Sequence, residues 1–215
     1  MITVLLLAHP DFPASRANRA LLAAVESLPD LELVELYDLY PDGRINVAVE
    51  RERLLRANRL VLQFPLQWYS TPALLKAWQD EVLTPLFYLE PEVAARTLGL
   101  PILAATTTGG PLASYRADDA GVMTIETLFA PLRATARKCG WSWQTPFALH
   151  DVRNLDEDCL SRAGDEYRSF IINAPSLKKA TGIGHQTLRS NNIATVETFS
   201  AARGTDTPWW DRCPE

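Results

Sequence analysis

The chain has 215 residues, 47% of them hydrophobic, and a formal net charge of -5 at pH 7. That length builds one ordinary domain with a sizeable core and room for an appendage. The mildly acidic balance argues against nucleic acid or an anionic membrane surface as the main partner, and no apolar run approaches the length of a membrane span. Met1 to Ala8 lacks the basic n-region and small-residue cleavage site of a signal peptide, so it reads as a first buried strand. Cys139, Cys159 and Cys213 are odd in number and show no metal-ligand spacing, which fits a reducing cytoplasm and no metal site.

In chain order, Ile2 to Ala8 is the kind of short apolar run that a parallel sheet buries on both faces. It opens into His9-Pro10-Asp11-Phe12-Pro13-Ala14-Ser15-Arg16-Ala17-Asn18. A helix follows, with Leu21, Leu22, Val25 and Leu28 in register until Pro29-Asp30. The helix N-terminus therefore meets the loop with unpaired N–H groups and partial positive charge, which Ser15, Arg16 and Asn18 supplement as a phosphate cradle. The alternative for Ser15 and Asn18 is ordinary N-capping. His9 reads either as a cap of the loop or as a donor to a ligand phosphate. Leu31 to Leu36 alternates as a strand nearer the sheet edge does, Tyr37 to Asn46 is turn-rich, and Val49 to Ala57 is a charged helix expected on the surface.

Leu60-Val61-Leu62 leads into Gln63-Phe64-Pro65-Leu66-Gln67-Trp68-Tyr69-Ser70-Thr71-Pro72, and Leu74, Leu75, Trp78 and Val82 then repeat on one helical face. Pro72 suits a first helical turn, where its missing N–H has no partner to lose. The Gln67 amide, free backbone N–H groups and the rings of Trp68 and Tyr69 are the parts needed to grip the edge of a flat heterocycle and cover its face. A buried aromatic corner packing the sheet is the competing reading. The prolines and Tyr88 between Thr84 and Leu100 suggest an irregular connection over the top of the sheet. Pro101 to Thr106 is another buried strand. It opens into Thr107-Thr108-Gly109-Gly110-Pro111, whose glycines mark a place where backbone comes close to something. Ile125, Leu128, Phe129, Leu132 and Ala136 mark an amphipathic helix with Gly140 as its C-cap. Trp141 to Leu149 is the fifth strand candidate, and Asp156 to about Asn173 the last helix.

Strands alternating with helices give a doubly wound α/β domain. With a five-stranded parallel sheet ordered 2-1-3-4-5, the loops after the first, third and fourth strands crowd one crevice, which is where open α/β sheets hold ligands. Those loops resemble the flavodoxin-like NAD(P)H:quinone oxidoreductase family that includes DT-diaphorase. They are closer still to its branch of flavoproteins accompanying the bacterial glutathione-gated potassium-efflux system. The matching residues are Ala8-His9-Pro10 with Ser15 and Asn18, Leu39-Tyr40-Pro41-Asp42, and Gln63 to Tyr69 with Pro72, Leu74-Leu75-Lys76 and Trp78. They continue with Thr107 to Gly110, Pro131-Leu132, Cys139-Gly140-Trp141 and Pro146-Phe147. The likeness runs in order over residues 1–173.

The resemblance implies a flavin, FMN in a core this compact and FAD in longer relatives, with NAD(P)H as co-substrate. His9 and Ser15, Arg16, Ala17 and Asn18 would hold the phosphate and ribityl chain. Pro65, Leu66, Gln67, Trp68 and Tyr69 would line the isoalloxazine ring, and Thr107, Thr108, Gly109 and Gly110 its polar edge. Tyr115, Trp68 and Tyr69 would be the catalytic positions. The family implies a homodimer and ping-pong transfer of two electrons from NAD(P)H to a quinone or similar acceptor. It also implies the alternative of a flavin-binding ancillary subunit of a potassium-efflux transporter with weak turnover. Family members carry a histidine a few residues after the tyrosine, whereas this chain has Ala120 and Gly121 there and only His9, His150 and His185 in all. Phe87-Tyr88-Leu89 also lacks the flanking glycines of the close relatives.

Residues 174–215 have no counterpart in those relatives and read as a small helical extension. Leu177 to Leu188 resembles a helix-hairpin-helix element, whose Gly-h-Gly turn offers N–H groups to a phosphate. Residues 174–215 carry five basic residues (Lys178, Lys179, Arg189, Arg203, Arg212) against four acidic ones (Glu197, Asp206, Asp211, Glu215), so nucleic acid is disfavoured and a protein-contact module is the better reading. Trp209-Trp210 would anchor a partner or fold back on the core. The whole reads as cytoplasmic, without membrane insertion, and peripheral to a membrane only through a partner.

Overall fold

A computed structural model of the chain describes residues 1–116 and 123–178. β1 (Thr3–Leu7), β2 (Leu31–Glu35), β3 (Arg59–Pro65) and β4 (Pro101–Thr107) form a parallel sheet in the order β2-β1-β3-β4. Leu5 pairs with Leu33 on one side and Val61 on the other, and Leu62 with Ala104. The fifth position is filled in two pieces, β5 (Ser142–Trp143) beside Pro101 and Ile102 and β6 (Phe147–Leu149) beside Ala105 to Thr107. The single strand expected over Trp141 to Leu149 is interrupted because Pro146 has no N–H to give the ladder.

The helices cover both faces. α1 (Arg16–Val25) ends at Val25, leaving Leu28 in a turn rather than in helical register. A four-residue turn, α2 (Leu36–Leu39), starts the connection read as merely turn-rich, and α3 (Val47–Arg56) follows. α4 (Ala73–Trp78) widens into a π-turn over Gln79–Leu83 and continues as α5 (Thr84–Leu89). The widening falls just before Pro85, whose missing N–H and ring disfavour ordinary i→i−4 bonding there. Helix thus replaces the irregular connection expected from Thr84, extended by α6 (Pro91–Ala94). α7 (Ile125–Leu128) breaks at Phe129 before α8 (Ala130–Lys138), and Gly140 takes φ +69° after it, as a C-cap glycine does. α9 (Glu157–Asn173) closes the domain, its N–H groups capped by Asp156.

The period of two divides the strands between the faces. Val4, Leu6, Leu60, Leu62, Phe64, Ile102 and Ala104 join one core with Leu54, Trp78, Val82, Leu86, Phe129 and Trp141. On the other face α1 and α9 lie close together; a Cβ at Gly164 would stand 3.1 Å from that of Ala24. The charged α3 is not wholly a surface helix. Glu50 is fully buried, accepting from Tyr40 Oη (2.7 Å), Trp78 Nε1 (3.0 Å) and Arg53, which also bonds Glu32. Burial, then the Glu50 carboxylate, push the Tyr40 hydroxyl up to about 12, so it remains a donor.

Residues Met1–Lys178 form one compact unit. Residues 174–178 pack on the sheet's far end: Asn58 and Leu177 exchange hydrogen bonds, and Arg59 donates to the carbonyls of Ile171, Ala174 and Pro175. A cation at these last carbonyls also complements the α9 dipole. The helix-hairpin-helix reading and Trp209-Trp210 lie outside the described residues. Burial pushes the free Cys139 thiol up to about 12, leaving it inert. Among the described residues no helix is long and apolar enough to cross a membrane.

Candidate active site

Because β1, β3 and β4 are neighbours, the loops leaving Leu7, Pro65 and Thr107 emerge side by side. Two backbone bonds tie them, Ala8 N–H to the Gln63 carbonyl (2.9 Å) and Leu66 N–H to that of Thr107 (2.8 Å). Beneath runs a buried polar chain. Tyr167 Oη donates to Gln63 Oε1 (3.0 Å), Gln63 Nε2 to the Asn18 carbonyl (3.0 Å), and Asn18 Nδ2 to Thr107 Oγ1 (2.9 Å) and Ser15 Oγ (3.2 Å). The Asn18 amide therefore faces inward and fixes the shape of the cradle. Asn18→Ala leaves Thr107 Oγ1 without that donor, and is expected to lower stability by about 1–3 kcal/mol, read by urea denaturation.

Ser15 caps α1, accepting from Asn18 N–H (3.3 Å), and the N–H groups of Arg16 and buried Ala17 in the first turn have no helical acceptor. His9 Nδ1 accepts from Asp11 N–H (3.1 Å). Burial lowers the imidazole pKa against the opposing pull of Asp11, so the neutral ring carries its proton on Nε2, a ready donor. Arg16 is drawn sideways, to Glu157 at the start of α9 (2.5 Å), in a pair exposed on both sides. Helix end, Nε2–H and guanidinium together suit a dianion.

Gln67 and Ser70 exchange two backbone hydrogen bonds (3.0 Å each), and Trp68 (φ 47°) and Tyr69 (φ 62°) occupy the tip between them. Positive φ at both central residues is the requirement of a type I′ turn, usually met by Asn-Gly. The turn throws both rings outward, Trp68 95% and Tyr69 63% exposed, which overturns the buried aromatic corner. Two strained, solvent-facing aromatics thus stand beside half-buried Pro65 and Leu66, a surface of the shape and chemistry that suits a flat ligand.

Thr107 and Thr108 are buried, while Gly109 is exposed and Gly110 half-buried. The N–H groups of both glycines have no hydrogen-bond partner among the described residues. Their carbonyl side is anchored to a fourth loop, the one leaving β6: Thr108 N–H donates to the Leu149 carbonyl (2.9 Å), Asp151 N–H to that of Gly110 (3.0 Å), and Val152 N–H to that of Thr108 (3.1 Å). Tyr115 stands over this loop, its Oη 3.4 Å from where a Cβ on Gly110 would lie. His150 stacks on the Tyr115 ring (centroids 5.1 Å apart, planes at 28°), and Arg153 brings its Nε 3.7 Å from where a Cβ on Gly109 would lie. Unpaired donors, a phenol and a cation converge where a ligand's acceptor edge would rest.

A family model described as the flavodoxin-like fold matches residues 1–171. The chain belongs to the flavodoxin-like family of NAD(P)H:quinone oxidoreductase-like flavoproteins. It is 38% identical over 169 residues to the glutathione-regulated potassium-efflux system ancillary protein KefF of Enterobacter sp. (strain 638), a match covering 79% of this chain and 94% of KefF. The NADPH-quinone reductase of P. pentosaceus superposes with a TM-score of 0.72 at 29% identity, over 81% of this chain and 99% of that one. General stress protein 14 of Treponema denticola, in complex with FMN, superposes with a TM-score of 0.71 at 31% identity, over 80% and 98% respectively.

The flavodoxin-like topology brings together every loop expected from the sequence, and adds the His150 to Asn154 loop, which sequence reasoning missed. Its place depends on β6 pairing with β4 beyond the break at Pro146, and no local pattern announces that. Positions 120 and 121, where the family resemblance expects a histidine, lie outside the described residues; His150 reaches Tyr115 from elsewhere in the chain. Burial pushes the His150 imidazole down to about 4. Its folded value lies below the unfolded one near 6.5, so unfolding takes up a proton in between. Stability is expected to be full above pH 6.5 and to fall as the pH drops towards 4. His150→Phe should flatten much of that slope in denaturation curves recorded across the window, with His9 supplying a smaller slope of the same sign.

Proposed function

We propose that this protein is an FMN-dependent NAD(P)H oxidoreductase that passes two electrons, in ping-pong fashion, to a quinone or similar electrophile. The observation that carries this reading is the pair of Gly109 and Gly110 N–H groups, without a partner among the described residues, on the loop leaving β4, next to the β3 loop that bears the exposed Trp68-Tyr69 turn. FMN has matching features: a terminal phosphate, a flat ring and an acceptor edge. The α1 N-terminus with Arg16, Ala17, Ser15 and His9 Nε2–H would bind the phosphate, with Asn18 shaping that cradle from below. Pro65, Leu66, Gln67, Trp68 and Tyr69 would line the ring and shield it from water. Thr107, Thr108, Gly109 and Gly110 would present donors to the polar edge, where Arg153 and the Tyr115 hydroxyl favour negative charge developing there. When bound, the flavin accepts a hydride equivalent from NAD(P)H and returns two electrons to the acceptor, and the protein supplies orientation and electrostatics. FMN is preferred to FAD by the likeness to the FMN-bound Treponema protein, and a homodimer is expected by family likeness.

The second reading is an ancillary flavoprotein docked on a potassium-efflux transporter, favoured by the 38% identity to KefF. In that role the protein would be cytoplasmic, would reach the membrane only through its partner, and would offer residues 174–215 as an added contact. Purified protein with a flavin spectrum, identified as FMN after extraction, bleached anaerobically by NADPH and promptly reoxidised by quinone, is the expected result. Bound flavin with sluggish reduction would favour the ancillary role. Protein that stays colourless and cannot be reconstituted with FMN or FAD would sink both readings.

A further inference from the structure

His150 lies outside every sequence motif, yet it holds two parts of the site at once. Thr108 Oγ1 lies 2.9 Å from the Gly110 carbonyl, which can only accept, and 3.0 Å from His150 Nδ1; with a single hydroxyl proton, both contacts are satisfied together when the hydroxyl donates to the carbonyl and the imidazole donates to the hydroxyl. That arrangement puts the imidazole proton on Nδ1 and leaves a lone pair on Nε2. The same ring lies face to face with Tyr115. Its backbone is held as firmly: Asp151 next to it takes φ 52°, donates its N–H to the Gly110 carbonyl, and accepts from Asn154 Nδ2 (2.9 Å). The Gly110 carbonyl thus receives two donors, Thr108 Oγ1 and Asp151 N–H, which fixes the orientation of its peptide plane.

We propose that His150 is a positioning residue. Its Nδ1–H locks the Thr108 hydroxyl, and its ring face locks Tyr115. Together they keep the Gly109 and Gly110 N–H groups and the Tyr115 hydroxyl aimed at one ligand edge. The inference deepens the proposed function and rests on it for the nature of that ligand. Pre-aimed donors need no rearrangement as charge develops, which is where such donors act most strongly.

Two measurements test the proposal, one of them without flavin. Nitrogen-15 NMR of the flavin-free protein at neutral pH should report the Nδ1-protonated tautomer of His150. His150→Asn, which keeps a donor but no ring, should shift the Tyr115 ring signals and spare the Gly110 amide. His150→Phe, which keeps a ring but no donor, should move the Gly109 and Gly110 amides. An Nε2-protonated tautomer, or glycine amides unmoved in His150→Phe, would overturn the proposal even if the protein bound no flavin at all. In FMN-loaded protein, His150→Asn, which frees the Tyr115 ring, and Tyr115→Phe should each favour oxidised over reduced FMN roughly tenfold, one hydrogen bond's worth. The double variant should equal Tyr115→Phe within about twofold if His150 acts chiefly through that hydroxyl. Full additivity, with thermal melts showing all variants folded, would mean that His150 acts independently and would also overturn it. A colourless wild-type protein would instead count against the proposed function and leave the NMR result to decide the lock.

Discussion

Replacing both Trp68 and Tyr69 by glycine is expected to make the protein more stable and much poorer at holding its ligand. Each residue sits in the left-handed region (φ 47° and 62°), where a side chain costs about 1–2 kcal/mol. Glycine removes that strain and adds about 0.5–1 kcal/mol of unfolded-state entropy. The net gain is therefore about 0.5–1 kcal/mol per site, since the 95% exposed Trp68 ring takes almost no core contact with it. In a domain of this size that raises Tm by roughly 2–8 °C for the pair. The rings themselves would stack on or beside a flat heterocycle, an interaction of about 1–3 kcal/mol each when measured on nucleic-acid bases. FMN affinity, followed by quenching of flavin fluorescence, should fall about thirtyfold or more. Alanine at the same positions separates the two effects, losing the rings while keeping the strain. Undiminished FMN binding by the glycine pair would remove the aromatic wall from the site.

The largest loss of stability should come from Glu50→Gln, far from the ligand loops. Tyr40 Oη, Trp78 Nε1 and Arg53 all aim donors at the two buried carboxylate oxygens. A glutamine offers one acceptor and one donor, so an N–H must face an N–H or O–H, and Arg53 keeps only Glu32. Breaking a buried charged pair of this sort costs about 3–5 kcal/mol, or roughly 6–20 °C in Tm by the scaling for chains of this length. Glu50→Leu, which removes the polar atoms altogether, should be no better, because three donors would then lack an acceptor. A melt within about 2 °C of wild type for Glu50→Gln would show that water reaches the cluster.

The sequence by itself determined the doubly wound sheet, because apolar strand runs and helical periodicity alternate clearly along residues 2–173; alternation alone fits more than one strand order, and the pairing of β1 between β2 and β3 is seen only in the tertiary structure. It also singled out three of the four loops that the sheet brings side by side, because each is a strand end followed by polar, aromatic or glycine-rich residues: His9 to Asn18, Gln63 to Pro72, and Thr107 to Gly110. It could not decide the direction in which those residues point. Asn18 reads as a ligand contact and is an internal strut, because its amide geometry depends on Thr107 arriving from a strand 89 positions later. Trp68 and Tyr69 read equally as core or wall until a turn type, set by two backbone angles, put them in solvent. Glu50 reads as a surface charge because its burial depends on Tyr40 and Trp78 arriving from outside its own helix, beside Arg53 one turn along. Only the tertiary structure decided that His150 meets Tyr115 and Thr108. That contact is made across parallel strands, where neighbours in space are separated by a whole crossover helix in the chain, and no local pattern of residues encodes it.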